Sequence, residues 1–372
     1  LGKIIKIDIS NNEVTSSNHI PEFKTSGKAL SVRLIMDNVK RDADYLSTEN
    51  CISIVPGLLT GTQAPSTGRM TIAAKRSGGK GIRSINIAGP FSQKLVSAGI
   101  DALLITGASD KRNIVIHISE GEVYIHELDE IKNRPVSDTI GYLRQLWGDD
   151  TSVIGIGPAG ERAVPLASIF STYSKGKPEY YCVRGGMGDI FGYKGIKAIA
   201  ITSGSHFSAE VKNEGAFRAA SKRLGKLIVS NPVCGGALPA YGSITLIQMM
   251  KQGKRFTNAP IQPVQPDKAR TTTPETGIRL NKNCAPNCVI GCLNRHSNGK
   301  TAYSSPAESE AIAACKNLFG IENCDFVSNL NRRCFELGVD TMEFLFSAAM
   351  LMKATGSKAS EQQLEDYADE LE

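Results

Sequence analysis

No apolar run in these 372 residues approaches the ~18–20 residues needed to cross a bilayer, so no membrane span is expected. No apolar signal core opens the chain either, because Ile and Lys alternate over residues 3–7 in the manner of a strand. A basic tract with interleaved aromatics is missing. Lys and Arg total 43 against 37 Asp and Glu, and the net charge of +6 is spread thinly, so nucleic acid is not expected as a partner. There is no strand–GxGxxG–helix unit, which argues against a Rossmann dinucleotide site. A disulfide framework is also absent from the pattern. The nine cysteines are odd in number and six of them are scattered singly, as in a reduced, cytoplasmic protein. Charged residues at 22% and hydrophobics at 41% fit an ordinary globular chain long enough for two or three domains.

The other three cysteines are concentrated. Cys284, Cys288 and Cys292 lie within nine residues, with Pro286 and Gly291 breaking any local helix. Thiolates packed this closely need a reason, and thiolates select iron–sulfur clusters, zinc or Cu(I). The spacing C-x3-C-x3-C is neither the C-x2-C of a zinc ribbon nor the bacterial ferredoxin run. An iron–sulfur cluster is the first expectation. The fourth ligand is open: His296 continues the spacing, and Cys315, Cys324, Cys334 or a cysteine of another chain are the alternatives.

Period-two patterns and turn residues place strands through residues 1–205: a hairpin over 3–15, then 51–55, 70–74, 84–88 and 102–105, a second hairpin over 113–128, then 152–155 and 196–202. Helices are expected at 27–39, 91–98 and 136–147. Two Gly- and Pro-punctuated stretches, 56–69 and 157–161, read as loops that line a ligand or a domain contact. Residues 173–181 read as a surface loop, and Val183–Gly188 as a glycine-rich one. After residue 206 the pattern becomes helical, with segments at 211–228, 244–252, 308–319, 325–337, 341–354 and 361–372, and a proline-rich connection over 257–275. The fold expected is α+β: an N-terminal twisted double β-sheet domain, 1–205, followed by an all-helical domain, 206–372, with the cysteine loop.

Several fragments, in order along nearly the whole chain, carry a resemblance. They are residues 57–65 with Gly68-Arg69, Ala98-Gly99-Ile100-Asp101-Ala102, and Ile156-Gly157-Pro158-Ala159-Gly160-Glu161. Arg184-Gly185-Gly186-Met187-Gly188 follows, with Gly192 and Lys197-Ala198-Ile199-Ala200. Asn231-Pro232-Val233, Leu238-Pro239-Ala240-Tyr241-Gly242, the cysteine run and Glu336-Leu337-Gly338-Val339-Asp340-Thr341 complete the set. Together they resemble the tungsten-pterin aldehyde ferredoxin oxidoreductases. The resemblance implies a sheet domain cradling a tungsten (or molybdenum) bis-pterin, magnesium bridging the pterin phosphates, and a 4Fe-4S cluster on Cys284, Cys288 and Cys292. It implies oxidation of aldehydes to carboxylic acids, with ferredoxin or an iron–sulfur subunit as partner, a homo-oligomer, and a second chain supplying the family's further helical domain.

By the same resemblance, Arg69 lies between cluster and pterin, Asn86 near the magnesium, and Arg184 and Gly185 against the pterin. Val339 and Asp340 belong to a pterin-contacting motif. Ala307-Glu308-Ser309-Glu310 puts Glu310 at the proton carrier, a role that asks for a buried carboxyl. The chain departs from the family at the first cysteine gap, at Phe335, at Tyr180-Tyr181-Cys182-Val183 and at Ala88. A non-catalytic subunit that keeps a cluster for assembly or electron relay is the second reading. A zinc-stabilised module using Cys284, Cys288, Cys292 and His296 is the third.

Overall fold

The computed structural model describes residues 2–19, 25–76, 78–79, 81–173, 179–202, 211–242, 283–293 and 309–372. The expected helix at 244–252, the connection at 257–275, His296 and Ala307-Glu308 lie outside them.

Twelve strands form two six-stranded sheets. The first holds β1 (Gly2–Asp8), β2 (Glu13–His19), β3 (Ile52–Pro56), β4 (Arg69–Lys75), β5 (Ile82–Ala88) and β6 (Ile100–Thr106) in the order β2-β1-β6-β3-β4-β5. The second holds β7 (Ile114–Ser119), β8 (Glu122–Glu127), β9 (Ser152–Ile156), β10 (Ser168–Thr172), β11 (Tyr180–Met187) and β12 (Ile196–Ile201) in the order β11-β10-β9-β12-β7-β8. Among the described residues only β1–β6 and β7–β12 pair in parallel.

The layers follow from side-chain alternation. Ile5 and Ile7 of β1, Leu103 and Ile105 of β6 and Ile116 and Ile118 of β7 all face one shared core between the sheets. That core also takes Phe91 and Leu95 of α2 (Pro90–Ser97) and Phe191 of α5 (Gly188–Tyr193). The opposite faces are covered separately. Leu30 and Ile35 of α1 (Lys28–Asn38) pack on Val55, Ala73, Ala102 and Leu104. Ile140 and Leu143 of α3 (Val136–Trp147) pack on Val115, Val153 and Ala198. Each such aliphatic side chain stabilises the fold by about 1.5–3 kcal/mol through burial. Lys194 ties the sheets together by polar contact, its ammonium donating to the carbonyls of Asn50 (2.6 Å) and Gly107 (2.7 Å).

The region beyond residue 211 is helical. It holds α6 (Glu214–Ser230), α7 (Leu238–Tyr241), α8 (Ser309–Ala314), α9 (Cys324–Leu337), α10 (Thr341–Thr355) and α11 (Glu361–Asp369); the short α4 (Pro158–Glu161) precedes α5 in the sheet region. Caps set several of the starts, with Asn213, Asn323, Asp340 and Ser360 each accepting an amide of the first turn. A second core, with Phe326, Leu330, Phe344 and Leu345, joins these helices to Ala159 and Ala167 of the sheet region.

Several expectations are corrected. The loop expected over 157–161 is the short helix α4 (Pro158–Glu161), and residues 180–181, expected in a surface loop, open β11. Val183–Gly188 is a strand through Met187, not a loop: it forms most of β11, paired to β10, a strand the sequence reading did not include. Gly185 (φ 105°) and Gly186 (φ 72°) form a bulge, and the β10–β11 register jumps from Ser168↔Met187 to Phe170↔Cys182. The helix expected over 308–319 is regular only to Ala314 and widens into a π-type turn over Cys315–Phe319.

On the outer face of β7, His117 stacks on Trp147, centroids 3.9 Å apart and rings 8° from parallel. Among the described residues the Nε2 atoms of His117 and of neighbouring His126 are buried without a hydrogen-bond partner. Burial, then the charge of His126, holds His117 down at about 4. It is therefore neutral when folded, whereas the unfolded chain takes up its proton near pH ~6.5. Its contribution to stability is complete above that value and is lost as pH falls toward 4. Denaturant midpoints measured across this range should fall more steeply for the wild type than for His117→Phe. Equal slopes would refute the assignment.

Candidate cluster and cofactor site

The cysteine run docks on the loop between β3 and β4. That loop is closed on itself by Thr60, whose hydroxyl donates to the carbonyls of Thr67 (2.8 Å) and Arg69 (3.0 Å). Ser66, at φ 60°, then receives the run. Its amide donates to the Asn287 carbonyl (2.9 Å), and its hydroxyl accepts the Val289 amide (3.3 Å). Asn287 reaches the Thr62 carbonyl (3.4 Å), and Gln93 the Pro286 carbonyl (3.3 Å). A Cβ at Gly68 would stand 2.8 Å from that of Ala285, so a side chain there would push the run away.

Within this frame the sulfurs meet. Cys284 hydrogen-bonds Cys288, whose sulfur also accepts the amides of Gly291 and Ile290 and the Ser66 hydroxyl. The bond from Cys284 is the main reason that Cys288 is drawn down to about 5, against the effect of burial. The same bond, with burial, pushes Cys284 up, while Arg69 nearby pulls it back and Cys292 adds to the rise. None of the eight cysteines with described side chains is in a disulfide. Cys315 and Cys334 lie in the helical core, where burial pushes both thiols up to about 12. Among the described residues no three His, Cys, Asp or Glu side chains are placed to share one metal ion. A cluster makes a different demand, since each thiolate takes a separate iron. Sulfur ligands oriented by amide and hydroxyl donors, with a guanidinium beside them, fit such a cluster.

Arg69 opens β4, and Asn86 stands on β5 diagonally across the ladder, where Thr71 pairs with Asn86 and Arg69 with Ala88. The guanidinium donates to Asn86 Oδ1 at 2.6 Å. The pair lines a cleft of about 280 Å³ with Gly27, Lys28, Gly57, Thr67 and Thr71. Two cations and the backbone of two glycines give this cleft an anion-friendly, hydrogen-bonding wall, which fits a planar, phosphorylated heterocycle.

The remaining candidates form a second group across the β5–β11 seam. Gly185 comes so close to β5 that a Cβ would lie 2.7 Å from Ile85 Cγ2. Its amide donates to Asp340 Oδ2 (3.0 Å), while Asp340 Oδ1 caps α10 by accepting the Met342 amide (2.9 Å). Asp340 is thus buried, with both oxygens engaged. Val339 is wholly buried in the helical core. Arg184 and Glu310 face each other at 3.5 Å, with side chains 42% and 50% exposed. The burial expected of Glu310 is not found.

Sequence reasoning missed Ser66, Lys28 and the role of Tyr181. A hydroxyl residue after Pro65 in a tight loop, and a lysine opening a helix after Gly27, were the available signals. Tyr181 stacks on Tyr173 (4.9 Å), and its hydroxyl donates to the Ala88 carbonyl (2.7 Å) and accepts the Ala88 amide (2.8 Å). Tyr180 and Phe335 are instead buried together in the core under α3.

Comparison with known proteins places these features in a family. Residues 4–203 match the model of the aldehyde ferredoxin oxidoreductase N-terminal domain, and residues 219–368 match that of its domains 2 and 3. A tungsten-containing aldehyde ferredoxin oxidoreductase of Pyrococcus furiosus is 27% identical over 350 residues, 92% of this chain and 56% of the relative. That of Thermococcus kodakarensis is 28% identical over the same shares of the two chains. The chain thus spans little more than half the length of these relatives. Among solved structures, the active-site complex BamBC of benzoyl-coenzyme A reductase with 1,5-dienoyl-CoA shares the fold. Its TM-score is 0.79 at 19% identity, over 98% of this chain and 59% of that one. With both family models matched over most of its length, the chain belongs to the aldehyde ferredoxin oxidoreductase family.

Proposed function

We propose that this chain is the cluster-bearing portion of an oxidoreductase that converts aldehydes to carboxylic acids. The observation that carries the reading is the docking of the three-cysteine run on the loop that ends at Arg69, with Cys284 hydrogen-bonded to Cys288. When bound, tungsten or molybdenum on two pterin dithiolenes would supply two-electron chemistry, and a 4Fe-4S cluster would pass single electrons on. Cys284, Cys288 and Cys292 would hold the cluster. Arg69 would lie between the cluster and a pterin, with Asn86 and Lys28 holding the pterin's polar edge or the magnesium-bridged phosphates in the same cleft. Arg184 and Gly185 would add donors from β11. Glu310, 3.5 Å from Arg184, would be the carboxylate that passes the transferred proton on. Ferredoxin or an iron–sulfur subunit would take the electrons, and the family's remaining helical domain would come from this protein or a second chain, with homo-oligomers as the assembled form.

One observation favours a second reading, a cluster-carrying relay subunit without pterin. Tyr181 occupies both backbone groups of Ala88, two residues from Asn86, leaving that edge of β5 closed. Anaerobic purification with tungsten, molybdenum, iron and zinc measured together, and dye reduction assayed with aldehydes, separates the readings. Tungsten or molybdenum with about four irons per chain and aldehyde-dependent reduction is the expected result. Iron alone favours the relay. Zinc alone overturns both.

A further inference from the structure

Ser66 grips the cysteine run on both sides of one sulfur. Its amide donates to the carbonyl of Asn287 (2.9 Å), and its hydroxyl oxygen accepts the amide of Val289 (3.3 Å). The residue between those two is Cys288. A serine hydroxyl has a single hydrogen, which stays available to donate while the oxygen accepts. Cys288 Sγ takes it.

The hydroxyl is held in place by a loop laced from within. Thr62 Oγ1 donates to the Leu59 carbonyl (2.6 Å) and accepts the Ala64 amide (3.2 Å), and Thr67 Oγ1 donates to the Ala64 carbonyl (2.9 Å). Ser66 itself sits at φ 60°, a left-handed conformation that residues other than glycine seldom adopt. Backbone held there at a cost clusters where a side chain has to be presented in one place. Of the four donors to Cys288, the Cys284 thiol and the amides of Ile290 and Gly291 belong to the run, and only the Ser66 hydroxyl comes from outside it. A Cys284 that ligates iron has no proton left to give. The two amides and the hydroxyl then remain.

We propose that Ser66 is a positioning residue for the 4Fe-4S cluster, acting through Cys288 to make the cluster easier to reduce. The inference rests on the cluster reading above. One electron added to the cluster adds one negative charge, shared with the ligand sulfurs, and no proton moves. A hydroxyl dipole fixed with its hydrogen toward one of those sulfurs favours the more negative, reduced cluster over the oxidised one, so the potential rises. The loop sets that dipole in advance, so nothing has to reorient when the electron arrives.

The test uses the full chain, reconstituted anaerobically. Iron per chain, the far-ultraviolet spectrum and the midpoint potential from a dye-mediated dithionite titration are read on the same samples. Ser66→Ala removes the hydroxyl. Ser66→Gly removes it and also relaxes the left-handed backbone, so the two variants together separate the hydroxyl from the loop conformation. Thr62→Val, the control, removes two bonds within the loop. Both Ser66 variants should keep about four irons. Both should lower the reduced-to-oxidised ratio at a fixed potential by about tenfold, a downward shift of about 59 mV for one electron. Thr62→Val should hold the wild-type potential. An unshifted potential in both Ser66 variants, a shift in Ser66→Ala that Ser66→Gly lacks, or an equal shift in Thr62→Val overturns the proposal. Loss of iron from both Ser66 variants with the far-ultraviolet spectrum intact also overturns it, because Ser66 would then decide binding and not potential. Wild-type chain that never takes up iron overturns the cluster reading, and this inference with it.

Discussion

Replacing Cys288 by serine should abolish the iron site, taking anaerobically reconstituted chain from about four irons to less than one, with loss of the broad visible absorption. Cys288 is chosen because its sulfur is already well prepared: it accepts from a thiol, two amides and a hydroxyl. A serine oxygen in that nest is a poor soft ligand and a shorter reach. Fold loss does not confound the result, since the loop is held by Ser66, Asn287 and Gln93 through groups the substitution leaves alone. Cys51→Ser, deep in the first sheet, serves as the control and should keep its iron. Full iron in Cys288→Ser with a normal far-ultraviolet spectrum would remove these cysteines from consideration as cluster ligands.

The largest stability effect is expected at Lys197→Met. Lys197 and Glu161 form an ion pair with side chains 0% and 2% exposed. The ammonium also donates to the Arg134 carbonyl (3.0 Å), and Glu161 accepts the Asn133 amide (2.9 Å). Removing the lysine leaves a carboxylate in the interior with one amide for company, which costs about 3–5 kcal/mol. Glu161→Gln combined with Lys197→Met should recover much of that loss, because no charge is then left unpaired. Urea unfolding of the three proteins decides it. A single variant within about 1 kcal/mol of wild type would mean that the pair is solvated in a way the buried geometry excludes.

The features legible in the sequence were those encoded by neighbours along the chain. The cysteine spacing and its Pro and Gly breaks located the docked loop. Alternating Ile residues gave β1 and β7, an apolar run gave β6, and apolar residues at helical spacing gave α1. Arg69 and Asn86 were each singled out by resemblance, and their bond across one hairpin came only with the structure. What stayed hidden depends on distant partners. The bond from Gly185 to Asp340 spans 155 positions. The strand β11 looked like a turn because its two glycines serve a bulge and a close approach to β5, and glycine advertises permission without saying for what. Glu310 looked like a buried acid by resemblance, yet its surroundings leave it half open. The fragments that carried the family resemblance turn out to meet one another: Gly157 abuts Gly338, Gly192 abuts Gly160, and Glu161 holds Lys197.

One of those meetings is made of main chain. Ala167 bridges Val339, the Ser168 amide donates to the Gly338 carbonyl (2.7 Å), and the Asp340 amide donates to the Leu166 carbonyl (3.3 Å). Gly157 is pressed so close that a Cβ would sit 2.4 Å from the Leu337 carbonyl oxygen. Packed side chains can slide past each other, but a seam stitched by amides gives way only by tearing. This junction is therefore a weld and not a pivot, and any opening of the molecule has to take place at some other joint.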